Sequence, residues 1–466
     1  MNIKRTICSP LALLLLCFYA VCCGAPAGSQ DDVVGVVLDI LKSGDQEMQA
    51  VAIAMVKEMP GTEVTKALAE ELPKLSPVSQ VQLLSVLGDR GDVVALPAIT
   101  AAVKAENQFV RIAALRALGQ LGDDSSVGLL AAAAEREGEE QKAARDSLYR
   151  LRGPKVDQVI VAEIPAAAAR TKVELISAVG ERNIRAGVSA LLETAKDSDR
   201  KVRTESFRVL KVIAGPEQLS ALIELLVNAQ SSSDRTEAQK TIAAVAHKIE
   251  DKNRQAEAVL AVLPSVKAVQ GRCSLLGVLG KIGDGHALPV LTASLKEKNV
   301  EIQTAAVRAL AEWPTAEPVV ELVKVAESSE NKVHRILALR GFVRLLGLES
   351  SRPAEETIGM YKKAMSLAQD AGEKRRVLSG LANTKSLGAL QMAQEYLGDE
   401  ALSGEAAVAV VKIAGAIGSE FPEQAKAAIE KVKKDAKSDS LREQAQEAIN
   451  KLEGLGKSDS SGEEEN

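Results

Sequence analysis

The sequence predicts an all-α chain, an α-solenoid of about thirteen stacked helix–turn–helix repeats. Three observations predict it. Hydrophobic residues make up 46% of the 466 residues but aromatics only 2%, with a single Trp. That profile suits thin Ala/Leu/Val helix layers rather than a core filled by large rings. A polar residue followed four places on by Lys, Arg or Gln and then by apolar residues at helical spacing returns along the whole chain. Gly and Pro punctuate the intervals between these segments.

The N-terminus reads as a targeting segment, residues 1–27. "MNIKR" is a positive start and "LALLLLCFYAV" an apolar run too short to span a bilayer as a stable helix. "CCGAPAGSQDD" then turns small and polar. Two modes of cleavage fit. Cys22 and Cys23 are candidates for lipidation, although Tyr19-Ala20-Val21 and Ala20-Val21-Cys22 match the lipoprotein triplet poorly. Ordinary signal cleavage near Gly24 or Ala27 fits as well. Four of the five cysteines (Cys8, Cys17, Cys22, Cys23) lie in this segment, so cleavage leaves only Cys273. The mature chain then has no internal disulfide and must be held by packing.

The array follows, residues 28–452. With Arg111 as a ruler, equivalent positions fall at Gln49, Gln80, Arg145, Lys172, Arg203, Arg235, Arg272, Gln303, Arg335, Lys374, Glu405 and Arg442. Seven of the twelve intervals are 31 or 32 residues, the repeat length of a helix pair. Four residues before the ruler stands a helix N-cap type in most units: Asp45, Ser76, Asn107, Asp199, Ser231, Asn299, Asn331, Asp370 and Ser438. Pro77 adds an N1 proline. "GDRGD", "LGDD" and "IGDGH" supply stops. No unit of this length buries its apolar face alone, so neighbours must stack. Residues 453–466, inside "LEGLGKSDSSGEEEN", read as a disordered acidic tail.

The units "NQFVRIAALRALGQLGD", "RKVRTESFRVLKVIAG" and "GRCSLLGVLGKIGDGHALPVL" resemble HEAT repeats of the short, PBS-lyase-like type found in exported bacterial proteins. The resemblance covers about residues 31–452, and the units around Lys172, Arg235 and Lys374 depart from it. It implies an armadillo-like superhelix and a ladder of hydrogen bonds between repeats.

Two basic positions recur, five residues apart. At about 100° per residue they lie about 140° apart on the helix and do not share a face. The first, held by Arg111, Arg145, Arg203, Arg272 and Arg335, sits in the first turn of the second helix, where a cation opposes the helix dipole. Its recurrence needs an offsetting benefit, and the predicted one is donation to a neighbour's carboxylate or terminal carbonyl. The second is held by Arg116, Arg150, Arg208, Arg308 and Arg340, with Lys240 in a further unit. It is read either as solvated charge or as a discontinuous basic stripe that meets an acidic partner.

Catalytic chemistry is missing from the text. The three histidines, His247, His286 and His334, lie in different units without ligand spacing, so no metal is expected. Cys273 reads as a small buried residue, Trp313 as core or turn packing, and Arg90-Gly91-Asp92 as an inter-helix turn rather than an adhesion motif. Lys+Arg (58) nearly balance Asp+Glu (63) at a net charge of −5, so no basic field points to nucleic acid. The expectation is a non-enzymatic, monomeric scaffold without cofactor, exported to the periplasm or cell envelope. It would bind other proteins there and touch membrane only through a lipid anchor. A structural envelope spacer is the main rival. A HEAT-like lyase has only the repeat type behind it.

Overall fold

A computed structural model describes residues 28–460 except 44, 58 and 437. The predicted targeting segment, with Cys22 and Cys23, lies outside the described residues, as do residues 461–466. Among the described residues there are 26 α-helices and no strand. They form thirteen pairs, each a first helix, a short turn and a second helix.

The second helices are Gln46–Val56, Pro77–Arg90, Gln108–Leu121, Glu139–Arg150, Ala169–Glu181 and Arg200–Ile213 in repeats 1 to 6. In repeats 7 to 13 they are Ser232–Ala246, Val269–Ile282, Val300–Ala311, Lys332–Leu346, Ala371–Leu381, Ser403–Ile417 and Asp439–Ser460. The predicted array is continuous, but the chain forms two compact units. One ends at Ala214 and the other begins at Gly215, between repeats 6 and 7. Each is a stack of helix pairs.

The caps set where the second helices begin. Side-chain oxygens of Asp45, Ser76, Asn107, Asp199, Ser231, Asn299, Asn331 and Asp370 accept backbone N–H groups of the first turn. Each satisfies a donor the helix leaves open. Arg90-Gly91-Asp92 is wholly consumed by the turn. Gly91 ends the helix at φ 68°, where a side chain would be strained, and Asp92 caps the next turn through Val94 N–H.

Burial explains why a 31-residue unit needs neighbours. The second helix of repeat 3 buries Val110, Ile112, Ala114, Leu115, Ala117, Leu118 and Leu121, more than one stripe's width. It meets its own first helix on one side and the second helices of repeats 2 and 4 on the others. Large rings are few but central: Trp313, Tyr361, Phe207 and Phe342 are among the largest fully buried side chains. Cys273 departs from expectation in being only half-buried. The last helix is Asp439–Ser460.

Second helices approach closely where glycine permits. A Cβ on Gly280 would lie 2.5 Å from the carbonyl oxygen and 2.6 Å from the Cα of Ala309 in the next repeat. Alanine is the better helix former by about 1 kcal/mol. Here it would push against main chain that cannot rotate away, at about 1–3 kcal/mol. Gly280→Ala is therefore expected to lower stability by about 1 kcal/mol in denaturant unfolding. A variant as stable as the parent would mean that repeats 8 and 9 have room to separate.

Candidate interaction face

The ruler residues answer the dipole puzzle. Arg203 Nη1 donates to the carbonyls of Asp197 and Ser198 at 2.8 and 2.9 Å. Arg235 does the same to Ala229 and Gln230, and Arg335 to Ser329 and Glu330 at 2.7 and 3.2 Å. Gln303 and Arg442 reach the carbonyl six residues back, Glu297 and Ala436. These carbonyls lie at the exit of the first helix, where acceptors are orphaned and the dipole is negative. The cation is unfavourable for its own helix but stabilises the end of the preceding one.

Arg111 combines this clamp with a bridge to the next repeat. Its Nη1 holds the carbonyls of Ala105 and Glu106, while Nε donates to Glu140 at 3.0 Å and Nη2 pairs with the same carboxylate. Arg145 takes Glu174 in a two-pronged pair at 2.6 and 2.7 Å, and Arg272 takes Glu297. So Arg111, Arg145 and Arg272 reach the neighbouring repeat, while the bonds described for Arg203 and Arg335 close the turn of their own. Glu140 and Glu174 are buried. Hydrogen bonds from Arg111, and also from Arg136, hold the Glu140 carboxyl below the usual carboxylate range.

The register of repeat 4 corrects the sequence reading. Its second helix is capped at Gly138, so the position of Arg111 falls on Lys142 and Arg145 lies most of a turn deeper. Gln141 holds the first-helix carbonyl of Ala134 instead. Arg150 is then the last residue of its helix and stands off the line shared by Arg116, Arg208, Arg308 and Arg340.

A second set of arginines escaped the sequence reading. Arg90 donates to the carbonyls of Val56, Met59 and Gly61 of the preceding repeat. Arg182 does so to Leu148, Tyr149 and Leu151, and Arg344 to Ala311 and Trp313. Each caps the C-terminal end of the second helix before its own. An arginine at the C-terminal end of a second helix, as in repeats 2, 5 and 10, is the signal that would have found them.

The five arginines predicted to meet a partner are all exposed. Arg208 pairs with Glu205 of its own helix, and that carboxylate also takes the Ser177 hydroxyl. Arg340 is held by the buried Glu373 of repeat 11. Arg116, Arg150 and Arg308 have no hydrogen bond or ion pair among the described residues. Exposed apolar side chains stand at the starts of several second helices: Val78 and Phe109 in repeats 2 and 3, and Val300 and Val333 in repeats 9 and 10.

No group of His, Cys, Asp and Glu able to hold a metal occurs among the described residues, nor any helix long and apolar enough to cross a membrane. A cavity of about 730 Å³ opens by the turns of repeats 4 to 6, where repeat 5 has Ala168 in place of a capping side chain. Its charges oppose one another, with Arg145 already on Glu174 and Thr171 on Glu135. His334 is buried at the start of a second helix, its Nε2 2.8 Å from Thr304 Oγ1 of the preceding repeat. The Thr304 hydroxyl donates to the Val300 carbonyl, so Nε2 carries the proton and Nδ1 is the titrating nitrogen. Burial holds the ring below the usual histidine range.

Residues 65–148 match the family model for HEAT repeats. Among solved structures, the chain is similar to Kap121p bound to Pho4p, at 12% identity and a TM-score of 0.54 over 92% of this chain and 54% of that one. It is similar to the karyopherin Kap121p bound to the SUMO protease Ulp1p, at 12% identity and a TM-score of 0.55 over the same 92% and 54%. A third is Kap121p bound to the extreme C-terminus of the protein phosphatase Cdc14p, at 11% identity and 0.54 over 96% and 57%. At these identities the likeness is one of fold, and the chain spans about half the length of those chains. No curated protein matches the sequence.

Two expectations follow for the braces. Glu140→Gln leaves two guanidiniums facing a neutral amide and is expected to cost about 1–3 kcal/mol in unfolding, discounted because both arginines are partly solvated. Arg116→Gln as a control should stay within about 0.5 kcal/mol. An unchanged Glu140→Gln would reduce the bridge to surface charge. For His334 the folded pKa is depressed, so below about 6.5 the unfolded chain binds the extra proton. The stability advantage of the parent over His334→Gln should shrink as pH falls from 7.5 to 5.5, each pH unit removing at most about 1.4 kcal/mol. A pH-independent difference would contradict the buried neutral ring.

Proposed function

We propose that this HEAT-repeat solenoid is a non-catalytic scaffold, exported to the cell envelope, that binds other proteins through the exposed side of its second helices. One observation carries the reading. The second helices hold exposed cations without side-chain partners among the described residues, Arg116 and Arg308, and exposed apolar residues at their starts, such as Phe109 and Val300, while other arginines are used up as braces. A stack of helices gives a partner one helix side per repeat, and binding then comes from area rather than from a chemical centre. The Kap121p structures are complexes with other proteins, one of them with an extreme C-terminus, and they support the same use of a helical stack. Export rests on the apolar run and polar break in residues 1–27, with Cys22 or Cys23 as the site of a lipid anchor if one is added.

The test is affinity capture of the full chain from solubilised envelope, followed by chemical cross-linking and mass spectrometry. Reproducible partners cross-linked to second-helix residues are expected. Absence of any reproducible partner would overturn the reading in favour of an envelope spacer. Partners cross-linked only to first helices would move the binding side.

A further inference from the structure

We propose that the second helices of repeats 9 to 11 form a docking surface for an extended acidic peptide whose carboxylates recur every third residue. The inference rests on the protein-binding reading and names the partner's chemistry.

Three guanidiniums gather on adjacent helices. Arg308 is exposed and unpaired. Arg340 stands at the equivalent place in the next repeat, nine residues after its cap Asn331 as Arg308 is after Asn299. Arg376, on the helix Ala371–Leu381 of repeat 11, has a side chain 55% exposed. Among these three cations the only paired carboxylate is Glu373. It takes Arg340 at 2.6 Å, lies 3.9 Å from Arg376, and is only 8% exposed. One buried carboxylate facing two guanidiniums leaves an excess of positive charge, and Arg308 on the helix packed against that of Arg340 adds an unpaired one. Of the acidic groups on the packed elements, Glu312 pairs with Lys281, and Glu301 accepts the Gln270 amide while keeping its charge.

Exposed apolar residues lie about two turns toward the helix starts, about 10–12 Å along the axis from the arginines. Val300 and Val333 are each 54% exposed, in adjacent repeats. Packed helices stand about 8–10 Å apart, and a chain in the polyproline II conformation advances about 3.1 Å per residue with three residues per turn. A peptide crossing the helices thus passes one repeat about every three residues. Carboxylates at i, i+3 and i+6 then share one side of the peptide and meet Arg308, Arg340 and Arg376 in turn. Two guanidiniums keep free donors for such carboxylates, and the third is half exposed.

The probe is a fluorescein-labelled peptide of about twelve residues, a Glu-Ser-Leu repeat, set by the spacing argument. Controls are a Lys-Ser-Leu peptide and a peptide of the same composition with its glutamates grouped at one end. Fluorescence anisotropy is measured with the full chain and with an Arg308→Glu/Arg376→Glu variant, both with matching melting curves. Neither side chain braces the stack, so the variant should fold. The expected result is at least tenfold weaker binding by the variant, no binding of the lysine peptide to the parent, weaker binding of the grouped peptide, and loss of affinity with added salt. Equal binding by parent and variant, or no binding of the Glu-Ser-Leu peptide by the parent, overturns the docking surface. If partners are still captured from the envelope, the protein-binding reading stands and only this site fails.

Discussion

Everything in this molecule depends on finding donors for the carbonyls that a helix leaves open when the chain turns back after a few residues. A first helix of six or seven residues, as in repeats 3, 4, 6, 8 and 9, has a large share of its acceptors unpaired. The turn is too short to supply donors of its own. A long cationic or amide side chain from the next helix meets the need, as Arg203, Arg235, Gln303 and Arg335 do. Once that turn is closed, the apolar sides of both helices are fixed in direction and the next pair has a surface to stack on.

The same chemistry, moved a few residues, gives different results. Near the helix start an arginine closes a turn. One turn deeper, as with Arg145, it crosses to a neighbour's buried carboxylate. In the last turn, as with Arg90, Arg182 and Arg344, it reaches back to cap the preceding second helix. Arg116 and Arg308 meet none of these acceptors among the described residues, and their charge faces solvent. An exposed cation here is what the bracing geometry leaves over. That gives it more weight as a binding feature than a count of surface arginines would.

The fold was legible because caps and spacing agree. Asp45, Asn107, Asp199 and Asn331 each stand before a helical apolar pattern, and each caps the helix expected. The jobs of individual arginines were less legible. A periodic ruler assumes that the basic residue nearest the right spacing is the equivalent one. In repeat 4, Gly138 starts the helix where no polar cap advertises it, and the ruler slid to Arg145. Acceptors are harder still. A main-chain carbonyl has no letter in the sequence, so nothing in "KVHRILALRG" says that Arg335 will turn inward to Ser329. Glu373 likewise reads as surface charge until the next repeat is placed and Arg340 closes on it.

The identity of the acceptor also governs how such a chain can drift over generations. Where the clamp ends on a main-chain oxygen, as for Arg235 and Arg335, the turn residues can change type freely, because every residue brings the same oxygen. Where it ends on a side chain, as in Arg111 with Glu140, Arg145 with Glu174 and Arg272 with Glu297, two positions 25 or 29 residues apart are tied. A change at one then asks for an answering change at the other. Repeats of the first kind can diverge one by one, while repeats of the second kind must diverge in pairs.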